Sequence, residues 1–565
     1  MRLLTAGVIV GFVIAGAIII TIGCSTYEKS ENYASMPNRV EHEKMVGTCA
    51  SVDLRKFSRS CKVSRGPVMS CAKKAKADMS VQFPHGGTAN PNGEPASGMF
   101  FETYGVNPFI DADEDHLSTF AIDVDTAAYA VARRYLNGGH LPPKNAVRTE
   151  EFVNYFKYYY RPPVEYPFAI HVEGAPSKFG KKGIHKLLKI GIKGKDIGKE
   201  ERKDAVLTFV IDVSGSMNTG NRLGLVKQSL RLLVDRMRDG DRIGIVVYGT
   251  NARTVTKPLP MGYREALLAT IDRLRAEGST NAEQGLMYGY KMARKFFRKG
   301  CINRIILCSD GVANNGATRA ETILKRVKEY ARGGIYLSAI GFGMSNYNDV
   351  LMEKLADRGN GNYAYVDTLD EAKRVFVENL TGTLQVIAKD VKIQVDFNPE
   401  VVRSYRLLGY ENRDVADRDF RNDQVDGGEV GAGHMVTALY ELKMHNGAEG
   451  KIGTVHVRYK DPDNNDAVSE VKRSIDSSAF AATFEEASQS FRLAAAAAEF
   501  SEILRESYWA KGSDLGAVLA LAKSVAPEFD NDKDVLEFVE LVANAKKLKG
   551  AKIELPDNDD IAENE

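Results

Sequence analysis

The segment Thr208-Phe-Val-Ile-Asp-Val-Ser-Gly-Ser-Met217 determines how the rest of the chain is interpreted. Residues 206–213 are almost wholly apolar, which is typical of a parallel strand that is buried on both faces. At the carboxyl end of this run the sequence changes to short oxygen-bearing side chains, Asp212, Ser214 and Ser216, and a helical pattern follows. The segment therefore predicts a central strand and a helix, with the turn between them at the crevice where open α/β sheets bind ligands.

Three oxygens at alternate positions of such a turn can point at one ion. Hard oxygen ligands suit Mg²⁺, which prefers octahedral geometry and usually keeps some waters, and Mn²⁺ or Ca²⁺ are the alternatives. Taken alone, the pattern equally fits a strand end whose Asp or Ser caps the next helix. Two further segments favour the metal, because Gly278-Ser279-Thr280 adds a hydroxyl before a helical pattern and residues 305–311 form a second apolar strand that ends in Asp-Gly. The predicted metal-site residues are Asp212, Ser214, Ser216, Thr280 and Asp310.

These same residues carry a family resemblance. The order D-x-S-x-S, then Thr, then Asp-Gly makes residues ~204–380 resemble a von Willebrand factor type A domain with a complete metal-ion-dependent adhesion site. The resemblance implies that Ser214 and Ser216 bind the ion directly, and that Thr280 does so in the ligand-competent state. It implies that Asp212 and Asp310 act largely through water. It also implies that the ion takes its last ligand from an Asp or Glu of a protein partner.

Composition limits the classes of function that remain. At 565 residues the chain is longer than one ordinary domain, and its content of 44% hydrophobic and 27% charged residues is globular. The 76 basic and 75 acidic residues give a net charge of +1, which argues against nucleic-acid binding or a strongly cationic membrane-surface role. One Trp and nine His leave little material for a histidine-rich metal centre.

The N-terminus has the features of an export signal. Residues 1–24 place one Arg before about 20 apolar residues, a length that also fits an uncleaved transmembrane anchor. Gly23 before Cys24 resembles a bacterial lipobox, in which the Cys is lipidated and becomes the mature N-terminus, although Thr21 stands where Leu is preferred. Either alternative predicts a chain held at a membrane of the bacterial cell envelope, facing the periplasm or the cell exterior.

The remaining sequence divides into segments of different character. Residues 25–98 are rich in turn formers and are predicted to be a flexible tether; Cys49, Cys61 and Cys71 lie there without the spacing of a zinc site. The βα alternation of 204–380 predicts a Rossmann-like, doubly wound α/β domain. Strand patterns on both sides of it predict a β-sandwich into which this domain is inserted, or by which it is flanked. The predicted segments are 1–24 signal or anchor, 25–98 tether, 99–165 small N-terminal α+β region, 166–203 sandwich strands, 204–380 type A domain, 381–475 sandwich, 476–550 C-terminal helices and 551–565 acidic tail.

This order of segments carries a second resemblance. The block 99–165 and the C-terminal region resemble the bacterial YfbK-like lipoproteins, which combine family-specific N- and C-terminal regions with a type A domain, over roughly residues 98–545. Within the first block, residues 119–126 mimic the strand of the metal site. They lack the Ser pair, so we expect Asp125 to cap the following helix rather than to form a second metal site.

Three functions are compatible with these features. The first is a membrane-tethered binding module that is not an enzyme and captures an acidic side chain of a protein partner through Mg²⁺. The second is a metal-dependent hydrolase, which needs an activated water and a general base; the sequence contains no G-x-S-x-G, H-E-x-x-H or P-loop motif. The third is a structural envelope lipoprotein without ligand capture, which the intact five-residue set disfavours. We expect the first.

Overall fold

The computed structural model describes residues 99, 101–198, 200–311, 317–343 and 348–550, which all belong to one compact unit. The predicted signal or anchor with Cys24, the tether with its three cysteines and the acidic tail lie outside the described residues. Over the ranges that are described, no helix combines the length and apolar character that a bilayer crossing requires.

The described part of the chain begins with short elements, which a long hairpin follows. The N-terminal region contains β1 (Ile110–Asp111), β2 (Leu117–Ala121), α1 (Ala127–Asn137) and α2 (Thr149–Val153). The hairpin that follows pairs β3 (Phe168–Pro176) with β4 (His185–Gly194) in antiparallel fashion.

The middle of the chain folds as the predicted doubly wound α/β domain. Its six-stranded sheet has the order β10-β9-β8-β5-β6-β7 and is parallel except for β7, which runs antiparallel to β6. Every residue of the central strand β5 is buried, as its apolar run predicts. Cys308 in β8 is a buried free thiol. The elements are β5 (Ala205–Asp212), α3 (Arg222–Val234), β6 (Arg242–Tyr248), β7 (Ala252–Pro260), α4 (Arg264–Asp272), α5 (Ala282–Lys295), β8 (Ile302–Ser309), α6 (Ala317–Arg332), β9 (Tyr336–Gly341), α7 (Asp349–Arg358), β10 (Tyr363–Tyr365), α8 (Leu369–Lys373) and α9 (Leu380–Leu384).

Strands from both sides of the α/β domain build one sandwich, as the insertion hypothesis requires. The returning chain contains β11 (Val386–Phe397), β12 (Val402–Leu408), β13 (Gly428–Gly431), β14 (Met435–Met444), β15 (Lys451–Asp461) and β16 (Ala467–Asp476). One sheet has the order β1-β12-β14-β4-β3, so β4 from before the domain pairs with β14 from after it. The other has the order β13-β11-β15-β16, and β2 also pairs with β11. The sequence did not predict that β1 and β2 would join these sheets.

The C-terminal region is helical, with α10 (Gln489–Leu504), α11 (Leu515–Val525) and α12 (Lys533–Gly550). The alanine run 494–498 of α10 is entirely buried among α2, α11 and α12. Small side chains allow these helices to approach closely, so the run serves helix packing.

Helix α1 connects two hydrophobic cores. Its face with Ala130 and Val131 belongs to the core of the α/β domain, whereas Tyr129 and Ala132 belong to the core of the C-terminal helices. The expectation that Asp125 caps α1 is wrong, because Thr126 is the N-cap residue, its own side chain makes no capping bond, and the Glu151 carboxylate accepts from the Ala128 N–H in the first turn. The Asp125 carboxylate instead accepts a hydrogen bond from the backbone N–H of Tyr363 in β10, at 2.9 Å.

A buried ion network fastens the same helix to the end of the α/β domain. The Arg133 guanidinium donates to both carboxylate oxygens of Asp367, to Glu371 at 2.9 Å and to Glu537 of α12 at 3.1 Å. The side chains of Arg133, Asp367 and Glu371 are 4%, 3% and 2% exposed, so these charges depend on one another for compensation. The N-terminal region, the α/β domain and the C-terminal helices therefore meet at Arg133.

Replacing Arg133 by Met should destabilise the protein by about 3–5 kcal/mol, because two buried carboxylates lose their guanidinium partner. The shift in the urea unfolding midpoint measures this loss. The control Arg231→Met breaks an ion pair with Asp272 whose side chains are 44% and 49% exposed, and should cost at most about 1 kcal/mol. Equal midpoint shifts for the two variants would contradict the role of the Arg133 network.

Candidate metal site

The two acids of the predicted site follow neighbouring strands. β5 and β8 are parallel and adjacent, with Ile211 opposite Cys308 in the register. Asp212 ends β5 and Asp310 directly follows β8, so both carboxylates emerge at the same edge of the sheet. They are 0% and 3% exposed, and the sheet therefore brings two like charges together in a buried place.

Asp212 is held by hydrogen bonds on both of its oxygens. The backbone N–H of Ser214 donates to one oxygen at 2.8 Å, and the Ser309 hydroxyl donates to the other at 3.0 Å. Buried Tyr248, which lies opposite Asp212 in the β5–β6 register, faces the same carboxylate. These contacts fix the orientation of the carboxyl group without adding a positive charge.

The two serines of the motif lie side by side. Their hydroxyl oxygens are 3.0 Å apart, and Ser214 is buried whereas Ser216 is exposed to solvent. Two adjacent ligands of an octahedral Mg²⁺, each at about 2.1 Å, stand about 3.0 Å apart. The serine pair therefore has the oxygen type and the separation that a magnesium ion requires.

The loop that contains Thr280 is bonded to the loop that contains the serines. The backbone N–H of Gly215 donates to the carbonyl oxygen of Gly278 at 2.9 Å. Gly278 has a φ of +73°, and a Cβ there would lie 2.3 Å from the Thr250 hydroxyl, so only glycine fits this approach. Half-buried Thr280 follows two residues later. Its hydroxyl as a further ligand stays a prediction.

An arginine that the sequence analysis missed completes the cluster. Arg222, the first residue of α3, pairs with the Asp310 carboxylate and also donates to the backbone carbonyl of Ser216 at 3.3 Å. The Ser216 hydroxyl bonds to the same carboxylate. The structure thus joins Asp212, Ser214, Ser216 and Asp310 into one cluster and adds Arg222 and Ser309. Ser309 could have been found from its position beside Asp310, whereas no sequence pattern indicates Arg222.

The electrostatics of the cluster favour a cation. Burial, followed by the neighbouring Asp310 carboxylate, raises the pKa of Asp212 to about 7. Burial also raises the pKa of Asp310, against the opposing effect of Arg222. Nowhere in the described ranges do three or more His, Cys, Asp or Glu side chains form a metal-binding group. The candidate site has only two carboxylates, and its remaining oxygens are hydroxyls.

Comparison with known families places the same segments in the same order. Residues 207–381 match the family described as "von Willebrand factor type A domain", residues 382–548 match "Uncharacterized protein YfbK, C-terminal", and residues 96–189 match "von Willebrand factor". These matches cover the α/β domain and the regions on both sides of it.

Several curated proteins are similar in sequence. Uncharacterized protein YfbK of Escherichia coli K12 is 41% identical over 411 residues, which is 71% of this chain and 68% of that protein. Uncharacterized protein sll0103 of Synechocystis is 25% identical over 49% of this chain and 66% of that protein. Inter-alpha-trypsin inhibitor heavy chain H3 of Rattus norvegicus is 30% identical over 27% of this chain and 18% of that protein.

The solved structures that align with this chain are more distant in sequence. A von Willebrand factor type A protein from Catenulispora acidiphila aligns with a TM-score of 0.40 and 17% identity, covering 66% of this chain and 89% of that one. The ArnB paralog VWA2 from Sulfolobus acidocaldarius aligns with a TM-score of 0.34 and 16% identity, covering 68% and 98%.

The raised pKa of Asp212 predicts a pH-dependent cost to the metal-free fold. Its folded pKa of about 7 exceeds the unfolded value of 3.8, so stability falls as pH rises between these values. In chelator, Asp212→Asn should therefore stabilise the protein at pH 8, by about 4 kcal/mol at most, and have little effect at pH 4. Urea unfolding midpoints at the two pH values measure the difference. A variant that is less stable than the wild type at pH 8 would contradict the assignment of a buried, uncompensated charge.

Proposed function

Because the chain belongs to the YfbK-like family of von Willebrand factor type A domain proteins, we propose that it is a tethered module that captures an acidic side chain of a protein partner through a bound Mg²⁺. Type A domains usually mediate protein–protein interaction or adhesion, and they often bind a divalent metal. The acidic partner, the identity of the ion and the tether are the parts that this proposal adds.

One observation carries the proposal: two serine hydroxyls stand 3.0 Å apart beside a buried pair of carboxylates. Ser214 and Ser216 would hold the ion directly, with Thr280 as the third protein ligand. Asp212 and Asp310 would contact the ion through water. The hydrogen bonds from Ser214 and Ser309 already fix the orientation of the Asp212 carboxylate for this role. When bound, the ion supplies a Lewis acid that accepts an oxygen of the partner.

The choice of an acidic partner follows from charge. The three direct ligands are neutral hydroxyls, and the charge of Asp310 is already compensated by Arg222. A divalent ion held there keeps uncompensated positive charge, which a carboxylate neutralises better than a neutral group does. Ser216 is exposed and Thr280 half-buried, so this side of the cluster is accessible to a partner.

The position of the α/β domain in the chain supports capture away from the sandwich. β5 starts soon after sandwich strand β4 and extends over eight residues, about 26 Å, to end at Asp212. The chain returns to the sandwich through β11 directly after α9. The metal-site edge of the sheet is therefore the end remote from the sandwich connections.

We also propose that the chain is anchored in the bacterial cell envelope through Cys24, facing the periplasm or the cell exterior. The support is the apolar segment 1–24 and its Gly23-Cys24 ending. A tether of residues 25–98 would let the binding edge search a volume around the anchor.

Removing a direct ligand should abolish ion-dependent capture. Ser216→Ala or Thr280→Ala should weaken Mg²⁺ binding at least about tenfold, a loss of about 1.4 kcal/mol. Titration calorimetry measures the Mg²⁺ affinity, and affinity capture of envelope proteins in Mg²⁺ and in EDTA measures partner binding. Captured partners should elute when acetate at high concentration competes for the ion.

The matched control is Ser279→Ala. This residue neighbours Thr280, but its hydroxyl lies by the Thr250 hydroxyl at 3.4 Å instead of belonging to the proposed ligand set. The Ser279→Ala variant should bind Mg²⁺ and partners as the wild type does. Capture that persists undiminished in EDTA would refute the proposed mechanism.

Replacing the lipidation residue tests the anchor. Cys24→Ser should prevent incorporation of labelled palmitate and release a substantial fraction of the protein from the membrane, because the acyl chains supply the membrane affinity. Membrane fractionation and metabolic labelling measure the two effects. A variant that remains wholly in the membrane fraction, together with an unlabelled wild type, would favour the uncleaved signal anchor.

A further inference from the structure

Arg222 occupies a position that its local structure disfavours. It is the first residue of α3, where the helix dipole repels cations, and it is only 2% exposed. A buried cation at a helix N-terminus requires compensating contacts from elsewhere in the fold. Arg222 obtains them from the metal site, through the Asp310 carboxylate and the carbonyl oxygen of Ser216.

The loop after β9 packs against this guanidinium. Gly343 has a φ of +90°, and a Cβ at this position would lie 2.2 Å from Arg222 Nε and 2.7 Å from its Cζ. Only glycine permits so close an approach of backbone to side chain. The guanidinium is therefore confined between Asp310 on one side and the backbone of Gly343 on the other.

We propose that Arg222 is a permanent positive charge of the metal site, which stays paired with Asp310 when the divalent ion binds. This charge weakens ion binding and strengthens the attraction of the site for an anionic partner. This inference rests on the proposed function and deepens it. Two carboxylates (−2), one guanidinium (+1) and one divalent ion (+2) sum to +1. Without Arg222 the charges of the remaining groups sum to zero, so the site attracts an external carboxylate less strongly.

The charge of Arg222 couples the ion to the partner. A partner carboxylate neutralises the surplus charge, so the ion binds more tightly when the partner is present, and by linkage the partner binds more tightly when the ion is present. Arg222 therefore makes capture depend on the simultaneous presence of the ion and the partner carboxylate. Without the partner, the ion is only weakly bound.

Titration calorimetry of the full chain with Mg²⁺ alone tests this inference. Arg222→Gln should bind Mg²⁺ at least tenfold more tightly than the wild type, whereas Arg222→Lys, which keeps the charge, should stay within about threefold. Acetate at saturating Mg²⁺ should bind more weakly to Arg222→Gln. If Arg222→Gln folds only with Mg²⁺ present, its Mg²⁺ affinity is measured instead by competition with EDTA.

The control for general destabilisation is Arg202→Gln. Arg202 pairs with Asp241 at 2.6 Å, with side chains 3% and 0% exposed, and Asp241 binds the backbone of Ala205 at the opposite end of β5. In chelator, Arg202→Gln should lower the melting temperature as Arg222→Gln does. Its Mg²⁺ affinity should equal that of the wild type.

The outcomes separate this inference from the proposed function. Equal Mg²⁺ affinity of the wild type and Arg222→Gln, or weaker binding by the variant, overturns the role of Arg222 while leaving capture intact. Binding by Arg222→Gln but not by the wild type supports the role of Arg222, and ion-dependent capture is then contradicted if acetate fails to restore Mg²⁺ binding to the wild type. Absence of Mg²⁺ binding in both overturns both.

Discussion

The structure depends on one electrostatic constraint: two adjacent parallel strands, β5 and β8, end in carboxylates that are withdrawn from water. Asp212 and Asp310 repel each other, and burial makes their ionisation costly. The fold supplies hydrogen bonds to Asp212 and one guanidinium to Asp310, which compensates half of the charge. The remaining negative charge is the electrostatic basis for the cation that we propose at this edge of the sheet.

The flanking regions stabilise the α/β domain from its other sides. Helix α1 shares residues with two cores, and Arg133 links it to Asp367, Glu371 and Glu537. The sandwich is built from strands on both sides of the inserted domain. These connections hold the domain without covering the exposed Ser216, which lies at the edge of the sheet that carries the proposed site.

Periodicity and local chemistry were sufficient to predict much of this architecture. The apolar run ending at Asp212 predicted the central strand, and strand patterns before and after the α/β domain predicted the shared sandwich, which the pairing of β4 with β14 confirms. The five metal-site residues were predicted because each follows a strand or precedes a helix. Four of them are joined by hydrogen bonds in one cluster, while the contribution of Thr280 stays a prediction.

What the sequence did not reveal depends on contacts between distant segments. The pairing of β2 with β11 joins residues 271–279 positions apart, and no local pattern indicates which sheet a strand will join. The local sequence predicts Asp125 as a helix cap, whereas its carboxylate accepts from the backbone N–H of the distant Tyr363. Arg222 has no motif of its own, and its role emerges only when α3 and the end of β8 are placed side by side.

A crystal structure of the protein with Mn²⁺, whose anomalous scattering identifies the ion, is the decisive test of the two-serine site. We expect one anomalous peak about 2.1–2.2 Å from the hydroxyl oxygens of both Ser214 and Ser216, with Arg222 still paired to Asp310. No peak within coordination distance of both serines, from crystals in saturating Mn²⁺, would contradict it.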